Sequence, residues 1–183
     1  MLGSTRTILL CCLIFTGCSQ SSYLSPQVGV EGAKYRYGGS GPVPLTEDPE
    51  GVEFDQSGLH FSVGNPQCGK SMSGVPPLPV VVATDHPTAT FGVKVAISGE
   101  GISYDYKQTL LRTSYGSWVQ ASSANPSSPE SSAAVNDFIV FDAECDVANT
   151  YDLHIDGVKK NGQVVQVPVI HFSRGGATTL GTM

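Results

Sequence analysis

The side chains best able to do chemistry here are four histidines, His60, His86, His154 and His171, and an acidic run at Asp142, Glu144 and Asp146. Three carboxylates at alternate positions near a strand end could offer oxygen ligands to a hard cation such as calcium. The run lacks the glycine and the further oxygens of a calcium loop, so a solvated strand face is expected. His154 and His171 lie on two segments that a turn at Asn161-Gly162 would join. Partner numbers across such a hairpin total about 323, and these two total 325, which sets them opposite or diagonal on one face, near Asp152 or Asp156. The compact His/Cys spacing of a structural metal site is missing. No metal and no cofactor is therefore expected.

Gly64-Asn65-Pro66-Gln67-Cys68-Gly69-Lys70-Ser71 fits the phosphate-loop pattern G-x-x-x-x-G-K-[ST] at every fixed position. Such a loop works because it feeds a helix whose N-terminus meets phosphate. Here Met72-Ser73-Gly74-Val75-Pro76-Pro77-Leu78-Pro79 follows, and prolines at that density preclude a helix. No nucleotide is expected. No G-x-S-x-G elbow exists, and no catalytic residue is assigned. An enzyme would need His154 or His171 in a cleft beside a carboxylate.

The elements that carry these residues read as strands. Val52–Asp55 and Leu59–Val63 flank a turn at Gln56-Ser57-Gly58. Leu78–Thr84 suits a buried strand. In Thr90–Ser98, Phe91, Val93, Val95 and Ile97 alternate onto one face. Ile102–Thr113 follows a turn, and Ser117–Ala121, with Trp118, is expected as a short core strand. Residues 122–134 hold nothing apolar larger than alanine and read as an exposed loop. Asp137–Cys145 is a strand, and so are Tyr151–Ile155 and Gln163–Ser173. Asn161-Gly162 between the last two is the strongest short hairpin signal, and Pro168 makes the return strand an edge or bulged one. With 21 Gly, 12 Pro and only 14% charged residues, helices are disfavoured. The expected fold is an all-β, antiparallel β-sandwich of about eight or nine short strands. Asp146-Val147-Ala148-Asn149-Thr150-Tyr151 and the strand after it resemble the approach to the tyrosine corner of immunoglobulin-like sandwiches. The resemblance implies a hydroxyl of Tyr151 bonded to upstream backbone; Leu153 stands where that family usually has a cysteine.

The N-terminus gives an address. One arginine in MLGSTR precedes the apolar run Ile8–Phe15, and small residues follow, which is the form of a secretory signal. The run is far shorter than the roughly 20 residues of a membrane-spanning helix. Phe15-Thr16-Gly17-Cys18 resembles the lipobox of bacterial prolipoproteins, with Phe15 where leucine is commonest. The resemblance implies cleavage before Cys18, diacylglyceryl on its sulfur and often an acyl chain such as palmitate on its amine. Two or three chains hold a protein firmly to a membrane. Ser19 in place of Asp implies, in a Gram-negative cell, sorting to the outer membrane with the head in the periplasm.

Of five cysteines, Cys11 and Cys12 would leave with the signal and Cys18 would take lipid. Cys68 and Cys145 remain, and in an exported domain the pair is expected as one disulfide rather than as two buried thiols. The expected organisation is a signal peptide at 1–17, a lipidated flexible tether at 18–50, a sandwich at 51–173 and a loose tail at 174–183. Net charge is −6 with no basic run, which disfavours nucleic acid. The expected role is a non-enzymatic envelope protein that binds another protein, as an assembly or secretion accessory or an immunity protein. The alternative is a small-ligand or glycan-binding module using Tyr104, Tyr106, Tyr115 and Trp118, and exposure of those rings is what that alternative requires.

Overall fold

The computed structural model describes residues 16–37, 43–64, 66, 68–75, 80–86, 90–126 and 134–182. In chain order the first strands are β1 (Thr16–Val28), β2 (Lys34–Arg36), β3 (Val43–Glu47), β4 (Gly51–Gln56), β5 (Leu59–Gly64), β6 (Gly69–Val75), β7 (Val80–His86) and β8 (Phe91–Ser98). There follow β9 (Ile102–Tyr104), a 3-10 turn at Tyr106–Gln108, β10 (Leu110–Thr113), β11 (Trp118–Pro126) and β12 (Ala134–Phe141). The last are β13 (Tyr151–His154), β14 (Val158–Lys160), β15 (Gln163–Val164) and β16 (Ile170–Thr182). The all-β expectation holds. The strands are more numerous than expected because β1, β2, β3 and β6 form in segments not read as strands, and because breaks divide Ile102–Thr113 and Gln163–Ser173.

Two local rules set the hairpins. Ser57 and Gly58 both have positive φ, as do Asn161 and Gly162. Two consecutive residues of that kind make the two-residue turn whose twist matches paired strands. The first turn joins β4 to β5 with Gln56 opposite Leu59; the second joins β14 to β15 with Lys160 opposite Gln163. Pro168 lies in the unpaired stretch between β15 and β16, where it breaks the ladder that the sequence suggested was continuous.

Thirteen strands form one hydrogen-bonded sheet, twelve along the path β2-β4-β5-β8-β12-β11-β10-β13-β16-β1-β6-β7 and β3 added on β16. The path folds back on itself at β11. That strand pairs with β10 at its start and with β12 at its end, across a bulge between Ala121 and Ser123. Bulges bend a strand and raise its twist, which carries the sheet from one layer into the other. β9, β14 and β15 make a small separate sheet.

Between the curled layers lies one core. Phe91 of β8 packs on Phe141 of β12 in its own layer, and on Tyr151 of β13 and Phe172 of β16 in the facing one, with ring centroids 4.9 to 6.0 Å apart. Edge-on and tilted contacts at this range add about 0.5–1.5 kcal/mol each beyond their buried area. Phe91, Val93, Val95 and Ile97 are fully buried, as their alternation requires. Cys68 and Cys145 are joined as a disulfide, Cα to Cα 5.8 Å. It ties the approach to β6 to the loop after β12.

Three assignments change. Residues 22–37, placed by composition in a leash, belong to the folded body: Tyr23, Leu24 and Val28 are buried. β1 has partners on both sides, β16 and β6, so its serines are held by backbone pairing that composition does not reveal. Residues 122–126 and 134 extend strands β11 and β12 rather than starting and ending a loop. The tail to Thr182 continues β16, paired with β1 and β3. The signal run 1–15 lies outside the described residues.

Candidate functional site

The outward face of β11, β10, β13, β16 and β1 carries a row of functional side chains. On β10, Leu111 points into the core, so Arg112 must point out. Register then fixes the row: Trp118 opposite Arg112, Arg112 opposite Asp152, Asp152 opposite His171 and His171 opposite Gln27. At about 4.8 Å per strand, four steps give a strip roughly 19 Å long.

One end of the strip is aromatic and cationic. Trp118 is 53% exposed, a correction to its expected place in the core. It alternates with Val119 and Ala121, which turn inward, and so shares its phase with solvent-facing Gln120. The Arg112 guanidinium sits 5.7 Å from the indole centroid, and the His154 ring lies 4.8 Å from it on the other strand. A cation over an exposed indole contributes about 0.5–1 kcal/mol. Tyr115, in the β10–β11 turn, is 83% exposed beside this group.

The middle of the strip is a hydrogen-bonded pair. His171 Nδ1 lies 2.6 Å from Asp152 Oδ1. A carboxylate only accepts, so Nδ1 carries the proton, and whenever the ring is neutral Nε2 is the acceptor. His154 and His171 are therefore diagonal on one face, with Asp152 joined to His171. The Asp152 to His171 register gives the expected total of 323. Among the described residues no three His, Cys, Asp or Glu side chains converge on a metal position.

At the far end is an open cleft of about 470 Å³, lined by Gln27, Val28, Gly29, Tyr35, Tyr37, Pro49 and His171. Tyr35 is fixed there: its hydroxyl donates to the Val28 carbonyl at 3.2 Å and accepts from the Val28 N–H at 3.4 Å. Tyr37 is 55% exposed. The condition for an enzyme, His171 in a cleft beside a carboxylate, is met in geometry. Among the described residues, the lining includes no serine, threonine, cysteine or lysine.

The other sequence candidates lie apart. Asp142, Glu144 and Asp146 are exposed beyond the end of β12, not along a strand face. Asp146 bonds its carboxylate to the Ala148 N–H at 2.9 Å. Tyr151 donates its hydroxyl to the Glu144 carbonyl at 2.8 Å and accepts from the Asp146 N–H at 3.1 Å, the corner expected from residues 146–155. Tyr104 and Tyr106 pack against the core. Burial pushes the Tyr104 phenol well above its ordinary pKa, and its hydroxyl meets Thr109 Oγ1 at 2.7 Å. Neither ring offers a platform to a ligand. His60 pairs with Asp55 across the β4–β5 hairpin at 2.9 Å, and the side chain of His86 lies outside the described residues. Lys70 and Ser71 stand in β6, paired with β1 and β7, so the G-K-S triplet opens a strand. The backbone of Cys18 pairs with Leu180 and Gly74 in the distal half of β1.

The fold is thus all-β and sandwich-like, with an aromatic and polar strip across one outer face. No family model, characterised protein or solved structure matches the chain.

Proposed function

We propose that this chain is a lipid-anchored, non-enzymatic protein of the cell envelope that works by binding another protein, as an assembly or secretion accessory or an immunity protein. The observation that carries the binding half is the corner formed by Trp118, Arg112 and Tyr115. These are the residue types that dominate interface hot spots, and here an exposed indole with arginine against it stands on a rigid sheet. The row offers hydrogen-bonding groups beside it, as the rim of such a contact needs. The anchoring half rests on Phe15-Thr16-Gly17-Cys18, and the Cys68–Cys145 disulfide is in keeping with an oxidising compartment. The non-enzymatic reading rests on the sequence, which carries no G-x-S-x-G elbow and no other catalytic motif.

The test is affinity capture from detergent-solubilised envelopes with the full-length wild-type protein and its Trp118→Ala variant side by side. Wild type should retain a defined protein that the variant loses by about 30-fold, the effect of a 2 kcal/mol hot spot. Equal recovery by both proteins, or nothing above background with either, would overturn the proposal.

A further inference from the structure

We infer that the cleft between β1, β2 and β16 is a second binding site, distinct from the Trp118 corner, and that it takes a neutral, hydroxyl-rich ring: one or two sugar residues. About 470 Å³ lies in the range of ligand sites and accommodates one or two such rings. His171, on the cleft's rim, stands three strands from Trp118, roughly 14 Å away, so the two sites are separable.

Four features select the ligand. Tyr37 presents a half-exposed ring, and Tyr35 and Pro49 complete an apolar wall; the carbon-bearing face of a pyranose packs on such a surface. His171 bonds Asp152 through Nδ1 at 2.6 Å, so Nε2 is the ring nitrogen left for a ligand hydroxyl, accepting from it when the ring is neutral. Gln27, opposite His171 in register, supplies an amide that both donates and accepts, which suits the neighbouring hydroxyl of a vicinal pair. Among the described residues no lysine or arginine lines the cleft, and a carboxylate stands directly behind His171. An anionic ligand would meet no countercharge, so phosphate, carboxylate and sulfate ligands are disfavoured.

The same chemistry is offered by a free saccharide and by the terminal residue of an envelope glycan. The experiment titrates the full-length protein in detergent with maltose, lactose and cellobiose, following backbone amide resonances of Gln27, Gly29 and His171. In parallel, the protein is screened on immobilised neutral and acidic glycans. At sugar concentrations of about 10 mM, ten-fold above a Kd of about 1 mM, at least one neutral ligand should shift those resonances or be retained. Tyr37→Ala and His171→Ala should each weaken binding by about 10-fold or more, and Trp118→Ala should leave it unchanged. Shifts in solution identify a free sugar and retention on immobilised chains alone identifies a glycan terminus; either supports the site. The inference is overturned by binding of acidic glycans alone, by no neutral ligand in either arm, or by binding indifferent to both cleft variants. It is independent of the protein partner: loss of capture by Trp118→Ala with intact sugar binding leaves both readings standing, and failure of one does not touch the other.

Discussion

The Tyr151 ring is buried against Phe91 while its hydroxyl reaches back to two backbone groups, the Glu144 carbonyl and the Asp146 N–H. The loop 142–150 is thereby closed on the start of β13. Replacing Tyr151 by Phe keeps the ring but strands both groups in a partly buried place. A buried polar group left unmet costs about 1–3 kcal/mol. For a chain of this size each kcal/mol lowers Tm by roughly 2–4 °C. Thermal unfolding of Tyr151→Phe should show a Tm several degrees lower with an unchanged fold, and an unaltered Tm would mean that the corner contributes nothing. This residue was legible because its neighbours supplied the context: a polar turn, then Tyr151, Leu153 and Ile155 alternating. Trp118 was misplaced for a different reason. Size and rarity suggested core, whereas its phase with Gln120 and against Val119 and Ala121 already pointed outward.

At the level of the element, pairing was readable wherever a turn has only one chemistry. Ser57-Gly58 and Asn161-Gly162 fix their hairpins, and the 323 total of the second recurs in the β13–β16 pairing that brings Asp152 to His171. What could not be read was pairing between segments distant in the chain. The contacts of β1 with β16 and β6 are made by backbone groups that serine, glycine and glutamine supply as well as valine does. The cleft escaped notice for the same reason, because Gln27, Tyr37 and His171 meet only once β1, β2 and β16 are assembled. The disulfide is an element-level clamp between the approach to β6 and the loop after β12, closing a 77-residue separation. Losing a native disulfide typically costs 2–5 kcal/mol. The double variant Cys68→Ser, Cys145→Ser should unfold at a lower denaturant concentration than wild type, with early proteolysis in the loop 142–150. Coincident denaturation curves for the two proteins would count against the clamp.

For the molecule as a whole, the architecture was legible in the alternation of the body, whereas the join between that body and the N-terminal segment, on which the proposed address rests, was not. The proposed lipid on Cys18 implies that Cys18→Ser abolishes processing and releases the protein from the membrane fraction. Fractionation of cells expressing the variant, with mass measurement of the N-terminus, checks both. Full-sized wild-type behaviour in the variant would remove the anchor from the proposal.

The long pairing of β1 with β16 changes what such an anchor can do. Cys18 and Gln27 lie in one continuous strand, nine residues apart, a rise of about 30 Å. A protein held at Cys18 would stand on a post rather than swing on a rope. Its strip would then sit at a set height above the bilayer and sweep only around the membrane normal. A partner in the same membrane would be sought in two dimensions at that height, and one whose own contact lies nearer the lipid would pass beneath it.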